Sequence, residues 1–321
     1  MKYRLLGKTD LLVSEIGLGC SGYWGNSSFD ERQAIRIVKH AFDNGVNFFD
    51  TGSNYSNFNA EPRLGKALSE ILSSNKRSDI IVSSKAGSLR GSALRLGHSR
   101  AQDFSPKAIA ETCLRSIQNL RCDFLDIFQL HGPNVSSLTP ELLECLKAMK
   151  KDGMYRYLGI NTHDLATMEY LASKPGLCDM VLIDYSCLQL DREPYIAKLS
   201  SAGIGVAAGT VLAQGHLVSQ KIGSIRSGAF FWYLARSMFK SSSRQLAMHS
   251  APMREVLMSA KGFSPAQVAF SYVLANPMVG SCVFGTTNLA NLSDVLKSVE
   301  ISLDQSIMQN IRFAYAKSIL N

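Results

Sequence analysis

Short apolar runs alternate along the chain with longer segments in which apolar residues recur at helical spacing. The short runs have the length of buried strands, and the longer segments are typical of helices with one apolar face. Eight runs are predicted as strands, at residues 13–19, 46–50, 80–85, 124–130, 157–160, 180–185, 205–208 and 282–284. Helices are predicted to begin near Asp30, Glu61, Ser105, Pro140, Leu165, Glu193, Ser264 and Leu289.

The strand and helix predictions together define a fold class. A short hairpin is expected around residues 5–12, turned at Gly7-Lys8-Thr9-Asp10, before the alternation begins. Ser105, Thr139 and Ser264 each precede a proline, which is typical of a helix cap followed by a first-turn proline. Apolar strands separated by helices predict a parallel sheet that is covered on both faces. Eight such units predict one α/β domain over residues 1–321, a (β/α)8 TIM barrel with an N-terminal β-hairpin.

Two predicted connections are far longer than the usual two to six residues. One spans residues 86–104 after the third strand, and the other spans residues 213–258 after the seventh strand. Both leave the carboxyl ends of strands, the face on which barrel enzymes build their active sites. We therefore expect long loops on the catalytic face.

Composition narrows the class of protein. The 321 residues are 46% hydrophobic and 19% charged, which is ordinary for a globular protein. The chain lacks an apolar run long enough for a membrane span, and its first residues do not resemble a secretory signal. The seven cysteines are scattered without zinc-ligand spacing, so free thiols and no metal are expected. These features favour a cytoplasmic protein that does not contact a membrane. A monomer or a small homo-oligomer is expected, and the sequence does not decide between them.

The chain is basic, and its excess charge is concentrated in the two long connections. The 34 Lys and Arg exceed the 26 Asp and Glu by 34 − 26 = 8, with a pI of about 9.1. The connections carry Arg90, Arg95, Arg100, Lys221, Arg226, Arg236, Lys240, Arg244 and Arg254. Two interpretations stay open, a solvated basic surface or steering of an anionic substrate toward the pocket. Nucleic acid binding is not expected, because no helix-turn-helix, zinc or basic-aromatic motif accompanies the charge.

A glycine motif after the first strand has a misleading form. Gly17-Leu18-Gly19-Cys20-Ser21-Gly22 matches the dinucleotide fingerprint G-x-G-x-x-G. In that fingerprint the glycines lead directly into a helix, whereas here residues 23–29 precede any helical spacing. The sequence therefore argues against a Rossmann domain.

Polar side chains stand at the carboxyl ends of three successive predicted strands. Asp50 ends the second strand, Lys85 the third and His131 the fourth, and Tyr55 follows Asp50 by five residues. Each has a structural explanation on its own, as a turn cap, a solvated charge or a packing group. In a barrel, however, these positions converge on one pocket. An ammonium beside a phenol lowers the pKa of the phenol toward neutrality, which makes it a usable general acid, and an imidazole can orient a carbonyl oxygen.

The same residues resemble the aldo-keto reductase family over nearly the whole chain. The motifs that carry the resemblance are Leu6-Gly7-Lys8-Thr9 with Val13-Ser14, Gly17-Leu18-Gly19, Phe49-Asp50-Thr51 with Tyr55, Glu61 with Leu64-Gly65-Lys66-Ala67-Leu68, Lys85, Leu130-His131, Leu158-Gly159-Ile160 and Phe284-Gly285-Thr286-Thr287. The resemblance implies hydride transfer between a nicotinamide cofactor and a carbonyl. It gives Tyr55 the role of proton donor, Lys85 and Asp50 the role of activating it, and His131 that of orienting the substrate. Trp24 is placed with Tyr55 and His131 at the substrate mouth.

The resemblance also implies a cofactor site, in which some contacts of the family are replaced. The implied cofactor residues are Cys20, Ser21, Asp50, Asn161, Thr162, Gly209, Thr210, Val211, Leu212, Gly285, Thr287, Asn291 and Asp294. Leu182 stands where a glutamine usually meets the carboxamide, and Gly209 begins a stretch that usually holds a stacking aromatic ring. Asn291 and Val295 occupy positions at which many NADP-using members have an arginine and an asparagine. We expect NADP, with NAD as the alternative.

Three functions remain open at the level of sequence. The leading one is an NAD(P)H-dependent oxidoreductase of aldehydes, ketones or sugars, including anionic ones. The second is a cofactor-sensing regulatory subunit with little turnover, of the kind this family supplies to potassium channels. The third is a sugar dehydrogenase that oxidises aldoses. The aromatic stretch Phe230-Phe231-Trp232-Tyr233 with Met238-Phe239 is expected to be packing, a lid or a partner surface.

Overall fold

The computed structural model describes residues 1–89, 101–218 and 241–320. Its strands are β1 (Tyr3–Leu5), β2 (Leu12–Ser14), β3 (Ile16–Gly19), β4 (Phe48–Asp50), β5 (Ile81–Ala86), β6 (Leu125–His131), β7 (Tyr155–Thr162), β8 (Met180–Asp184), β9 (Gly205–Gly209) and β10 (Val279–Phe284). Its α-helices are α1 (Glu31–Asp43), α2 (Ala60–Leu72), α3 (Pro106–Leu120), α4 (Pro140–Lys151), α5 (Leu165–Ala172), α6 (Glu193–Ser201), α7 (Ser241–Ser259), α8 (Pro265–Leu274), α9 (Leu289–Leu296) and α10 (Gln305–Leu320). Short 3₁₀ helices span Gly22–Gly25, Arg77–Asp79, Val135–Ser137, Leu190–Arg192, Ala213–Gly215 and Lys297–Glu300.

Strands β3 to β10 form a closed parallel barrel in chain order, in which β10 pairs with both β9 and β3. The predicted (β/α)8 barrel is confirmed. Helix starts follow the predicted caps: the side chains of Ser105, Thr139 and Ser264 accept hydrogen bonds from the first turns of α3, α4 and α8. These bonds satisfy amide groups that have no partner inside the helix.

The predicted strand at residues 13–19 is in fact two strands. Strand β2 pairs antiparallel with β1 in the N-terminal hairpin, and β3 belongs to the barrel. Glu15 lies between them, because its amide donates to the Lys2 carbonyl of the hairpin while its carbonyl accepts from the Cys282 amide of β10. Its carboxylate binds Arg4 at 2.6 Å. Arg4 in turn donates to the carbonyls of Leu274, Asn276 and Val279. The hairpin is thereby fixed to the barrel.

The hairpin closes the end of the barrel opposite the carboxyl ends of its strands. Leu6, Leu11 and Val13 pack in one buried cluster with residues from inside the barrel, including Phe48 and Met180. At the hairpin turn Gly7 has a φ of +61°, and a Cβ atom there would lie 2.3 Å from the Gly205 amide nitrogen. Glycine is therefore required for the turn to approach β9.

Two further sequence expectations can be compared with the described residues. All seven cysteines are free thiols, as expected. In residues 1–89, 101–218 and 241–320, no helix combines the length and apolar character needed to cross a bilayer. Most of the predicted basic positions, Arg90, Arg95, Arg100, Lys221, Arg226, Arg236 and Lys240, lie outside the described residues, as do Phe230-Phe231-Trp232-Tyr233 and Met238-Phe239.

Candidate active site

The barrel brings the four predicted catalytic residues to one end. Asp50 and His131 are the last residues of β4 and β6, and Lys85 is the second to last residue of β5. Tyr55 lies in the connection from β4 to α2. Because β4, β5 and β6 are neighbouring parallel strands, their carboxyl ends meet at the same rim.

The ammonium of Lys85 is the electrostatic centre of this rim. It is 1% exposed, forms an ion pair with Asp50, and donates to the Thr51 carbonyl at 2.7 Å. The Tyr55 ring centroid lies 5.2 Å from its nitrogen, and the two side chains are hydrogen bonded. Burial alone lowers the pKa of Lys85, but the charges and hydrogen bonds of Asp50 and Tyr55 raise it above its ordinary value of 10.5. Lys85 is therefore a permanent buried cation beside a phenol.

Gln129 is a member of this cluster that the sequence reading missed. Its Nε2 donates to Asp50 Oδ1 at 2.8 Å and to Ser83 Oγ at 2.6 Å, so Asp50 is held on both oxygens. A Cβ atom at Gly159 on β7 would lie 2.6 Å from Gln129 Cγ, so the glycine makes room for this side chain. Gln129 precedes His131 by two residues in the same strand, and this spacing places both on one face of the strand.

His131 is fixed from two sides. Its ring meets the Tyr55 ring edge to face, with centroids 5.5 Å apart. Its carbonyl oxygen accepts hydrogen bonds from Gln102 Nε2 at 3.2 Å and from Ser88 Oγ at 3.3 Å. Ser88 and Gln102 pair as a β-bridge at the base of the first long connection. The base of that connection therefore holds the backbone of His131 in place. The sequence predicted a long loop here but not this contact.

The chain immediately after Tyr55 has an unusual backbone. Ser56, Asn57 and Phe58 have φ values of 51°, 59° and 65°, in the left-handed region that non-glycine residues seldom adopt. Ser56 Oγ donates to the Gly22 carbonyl at 2.7 Å, and Asn59 Nδ2 donates to the Gly25 carbonyl at 2.7 Å. These bonds hold the connection after Tyr55 against the loop that follows β3. Strained backbone held by its surroundings is typical of functional sites.

Trp24, which was expected at the substrate mouth, is buried in this structure. The residue is 2% exposed, and its indole Nε1 donates to the Ala34 carbonyl of α1 at 3.2 Å. Arg63 donates to the carbonyls of Trp24, Asn26 and Phe29 and so fixes this loop from α2. Trp24 is therefore part of the core. Tyr23, beside it, is partly exposed and packs against Phe29.

The expected cofactor residues lie on the same end of the barrel but differ in accessibility. Cys20 is fully buried, and burial together with the nearby Asp50 charge raises its thiol pKa. Ser21 is partly exposed. Thr162 is 1% exposed, and its Oγ1 accepts a hydrogen bond from the Asp164 amide. Cys20 and Thr162 thus present almost no surface in this structure.

Asn161 is better placed to hold a carboxamide. Its Nδ2 donates to the Leu182 carbonyl at 3.1 Å, and its Oδ1 accepts no hydrogen bond from the described residues. Leu182 is apolar and buried inside the barrel, so position 182 adds no hydrogen bond to the one that Asn161 can offer. The Asn161 amide is fixed and has an open acceptor oxygen, so it can accept a hydrogen bond from the NH2 group of a carboxamide.

The segment after β9 lies at the same rim, where the sequence replaces the stacking aromatic. Gly209, Thr210 and Leu212 are partly exposed, whereas Val211 is buried. Thr210 has a φ of 52°, and it is hydrogen bonded to Asp184 at the end of β8. His163 Nδ1 pairs with Asp184 Oδ2 at 2.9 Å. Burial opposes the charge on Asp184, but the bonds to His163 and Thr210 lower its pKa.

The connection from β10 to α9 lines a cavity of about 290 Å³ together with α1. Gly285 and Asn291 are exposed and Thr287 is partly exposed, so these three residues are accessible as expected. Asp294 is also partly exposed, but both of its carboxylate oxygens already accept hydrogen bonds. Its Oδ2 accepts from Ser264 Oγ at 2.5 Å, and its Oδ1 accepts from Gln267 Nε2 at 2.9 Å. The carboxylate is occupied in joining α9 to the first turn of α8.

The residues present fit a nicotinamide dinucleotide. Asn161 offers an open amide oxygen near the catalytic cluster, and a cavity with polar lining lies beyond β10 on the same rim. Of the nine basic positions in the long connections, Arg254 alone has a described side chain, and it donates to the His216 carbonyl at 2.9 Å.

Known proteins resemble this chain over nearly its whole length. L-galactose dehydrogenase of Arabidopsis thaliana is 29% identical over 97% of this chain and 93% of its own length. A protein named "Probable voltage-gated potassium channel subunit beta", also from Arabidopsis thaliana, is 25% identical over 94% of this chain and 92% of its own. The structure of an aldo-keto reductase from Bacillus halodurans in its holo form has a TM-score of 0.77 and 25% identity, covering 98% of this chain and 96% of that chain. A sequence model described as the Aldo/keto reductase family matches residues 15–316. The chain therefore belongs to the aldo/keto reductase family.

Proposed function

We propose that this protein interconverts a carbonyl and an alcohol with a nicotinamide dinucleotide, and that Tyr55 transfers the proton. The observation that carries the proposal is the fully buried ammonium of Lys85, bound by Asp50 and lying 5.2 Å from the Tyr55 ring centroid. A buried cation fixed next to a phenol stabilises the phenolate that remains once the hydroxyl proton has left. Nothing in the barrel architecture itself requires such an arrangement.

Each residue of the cluster has a defined task in the reduction direction. Tyr55 gives its hydroxyl proton to the carbonyl oxygen as that oxygen gains negative charge. Lys85 stabilises the resulting phenolate, and Asp50 keeps the ammonium in place. His131, fixed against Tyr55, hydrogen bonds to the same carbonyl oxygen and orients it. In the oxidation direction Tyr55 accepts the proton of the alcohol.

The proposal includes the expected cofactor, NADP, with NAD as the alternative. When bound, the dinucleotide supplies the hydride. Asn161, Gly209 and Thr210 would hold its nicotinamide end, and Gly285 and Thr287 would lie toward its other end. Because Gly209 has no aromatic ring, we expect the nicotinamide to bind more weakly than in members that stack a ring on it. Ring stacking contributes about 0.5–1.5 kcal/mol beyond burial.

The proposed substrates are small aldehydes, ketones and sugars, including anionic ones. A relative named for its action on L-galactose supports aldoses as the first group to test in the oxidation direction. A neutral and a phosphorylated sugar should be compared, because the basic residues of the long connections favour anions.

The direct test measures cofactor binding and turnover separately. Purified protein is titrated with NADPH and with NADH while the nicotinamide fluorescence is followed, and carbonyl reduction is then assayed on a panel of aldehydes and sugars. Tyr55→Phe should bind the cofactor as the parent does and lose at least about a hundredfold in kcat, in the range for general acid catalysis. Tyr195→Phe, on α6 and away from the cluster, is the matched control. Binding of neither dinucleotide would refute the proposal.

A second candidate function follows from one comparison. The similarity to a protein named as a potassium channel subunit beta supports the second expectation from the sequence, a regulatory subunit. In that role cofactor binding would matter and turnover would be slow. The two functions differ in a measurable way. A kcat above about 1 s⁻¹, at the lower end of typical enzymes, supports the enzyme. Tight dinucleotide binding with no turnover on any panel member supports the regulatory subunit.

A further inference from the structure

The pairing of β5 with β6 ends one residue before His131. The last pair joins Ala86 to Leu130, whereas on the other side of β6 the pairing with β7 continues through His131 and Asn161. The Gly132 amide also donates to the Asn161 carbonyl at 2.7 Å. A neighbouring strand therefore holds the backbone at His131 only on the β7 side, and on the β5 side other groups have to bind its carbonyl.

The side chain of Gln102 takes the place of the strand that has ended. Its Nε2 donates to the His131 carbonyl at 3.2 Å and to the Gly132 carbonyl at 2.8 Å. Ser88 Oγ adds a longer bond to the His131 carbonyl, at 3.3 Å. One amide group thus binds two successive carbonyls at the point where β6 ends and Gly132, with a φ of +71°, turns the chain.

The backbone that carries Gln102 is itself fixed beside β5. Ser88 and Gln102 pair as an antiparallel bridge between the two ends of the first long connection. Two backbone hydrogen bonds of 2.8 Å flank this bridge, from the Leu89 amide to the Ala101 carbonyl and from the Asp103 amide to the Gly87 carbonyl. The amide of Gln102 therefore reaches His131 from a base that is joined to the end of β5.

The proposed task of His131 depends on where its ring lies. In the reaction proposed above, the imidazole hydrogen bonds to the carbonyl oxygen that takes the proton of Tyr55. The ring is 8% exposed and meets the Tyr55 ring edge to face at 5.5 Å between centroids. Because a displacement of about 1 Å can cost about a hundredfold in rate, a shift of the backbone at His131 would disturb this arrangement.

We propose that Gln102 is a positioning residue for the reaction, which holds the imidazole of His131 at the substrate carbonyl by binding the carbonyls of His131 and Gly132. The proposal rests on the proposed function. Gln102 transfers no proton, and its effect on the rate passes through His131. Its side chain is exposed, so replacing it removes the two hydrogen bonds without opening the core.

The first test is a double-mutant cycle on carbonyl reduction, with Gln102→Met, His131→Ala and the two combined. Hydrogen bonds of a neutral amide correspond to about threefold to tenfold in rate, so Gln102→Met should lower kcat by that factor. In the His131→Ala background the same change should leave kcat as it is. Gln102→Lys, which keeps a donor, should retain part of the rate. Gln118→Met, at an exposed position on α3, is the matched control.

The second test observes the imidazole without turnover. The ring signals of the six histidines are recorded by NMR on isotope-labelled protein, and the His131 signal is assigned by its loss in His131→Ala. Gln102→Met should shift or broaden the His131 signal and leave those of the other histidines in place, whereas Gln118→Met should change none. The NADPH dissociation constant and the thermal unfolding of Gln102→Met should match the parent, which excludes a general loss of structure.

The outcomes separate this proposal from the function on which it rests. A Gln102→Met variant with the parent kcat overturns the role of Gln102, and so does an equal loss of kcat with and without the His131 imidazole. An unchanged His131 signal in Gln102→Met overturns it as well. In all three cases turnover by the parent leaves the proposed function intact. A parent that reduces no carbonyl refutes both.

Discussion

Asp50 uses both of its carboxylate oxygens, one for Lys85 and the other for Gln129. Replacing Gln129 with Met would leave a buried carboxylate oxygen without a donor and loosen the ion pair next to Tyr55. Because a hydrogen bond to a charged group is worth about 1.5–3 kcal/mol, we expect kcat to fall about tenfold or more. KM should change little, since Gln129 lies below the rim and does not face the substrate.

Steady-state kinetics of Gln129→Met on any accepted carbonyl checks this prediction. Gln118→Met, the same substitution at an exposed position on α3, should behave as the parent. A folded Gln129→Met with the parent kcat would show that one oxygen of Asp50 is sufficient to hold Lys85.

The left-handed residues after Tyr55 make a prediction about stability. Phe58 is 39% exposed and has a φ of 65°, a conformation that costs an L-residue about 1–2 kcal/mol. Both Ala and Gly remove the ring, but only Gly removes the strain. Phe58→Gly should therefore be more stable than Phe58→Ala by about 1 kcal/mol, the reverse of the usual order. Urea denaturation measures the difference, and an Ala variant at least as stable as the Gly variant would contradict it.

At the scale of single residues, the sequence identified groups at strand ends better than groups inside strands. Asp50, Lys85 and His131 are charged or polar residues at the ends of apolar runs, and chain order alone brings them together. Gln129 sits within an apolar run and is recognised only when the face it shares with His131 is considered. The hydrogen bonds of Asp294 to α8 were not foreseen, because its partners there are distant in the sequence.

At the scale of elements, the junction of α8 and α9 allows a test of whether Asp294 acts in structure or in cofactor binding. Asp294→Ala removes two hydrogen bonds to the capping box of α8, those with Ser264 and Gln267. The loss should lower the free energy of unfolding by about 1–2 kcal/mol and leave the NADPH dissociation constant within twofold. Asp294→Asn, which keeps an acceptor oxygen, should lose less. A variant with weakened NADPH binding and parent stability would restore Asp294 to the cofactor site.

Elements were predictable where a local signal marks their ends. A cap residue before a proline marked the starts of α3, α4 and α8, and the structure has them there. The break at Glu15 was not predictable from periodicity, because an apolar run continues on both sides of it. At Glu15 the backbone changes its hydrogen-bond partner from the hairpin to β10, and this change exists only once the hairpin has folded against the barrel.

For the whole molecule, the shifted pKa values predict how stability depends on pH. Burial, reinforced by the nearby charge of Arg254, lowers the pKa of His216 below its ordinary value of 6.5. Hydrogen bonds to Ser105 and Thr167 lower the pKa values of Asp103 and Asp164, and Asp184 is lowered by His163 and Thr210 against the effect of burial. In each case the unfolded chain binds a proton at a higher pH than the folded chain does.

Below about pH 7, stability should therefore decline in two stages as the pH falls. Below 6.5 the unfolded chain protonates at His216 while the folded chain does not, which gives a shallow decline. Below about 4 the carboxylates add a steeper one, since their ordinary pKa is 3.8. Urea midpoints between pH 3 and 8 would show both stages. His216→Gln should remove the first stage and keep the second, whereas Asp164→Asn should reduce only the second. Stability that rises on acidification from pH 7 to 5 would contradict the direction of the His216 shift and the burial that causes it.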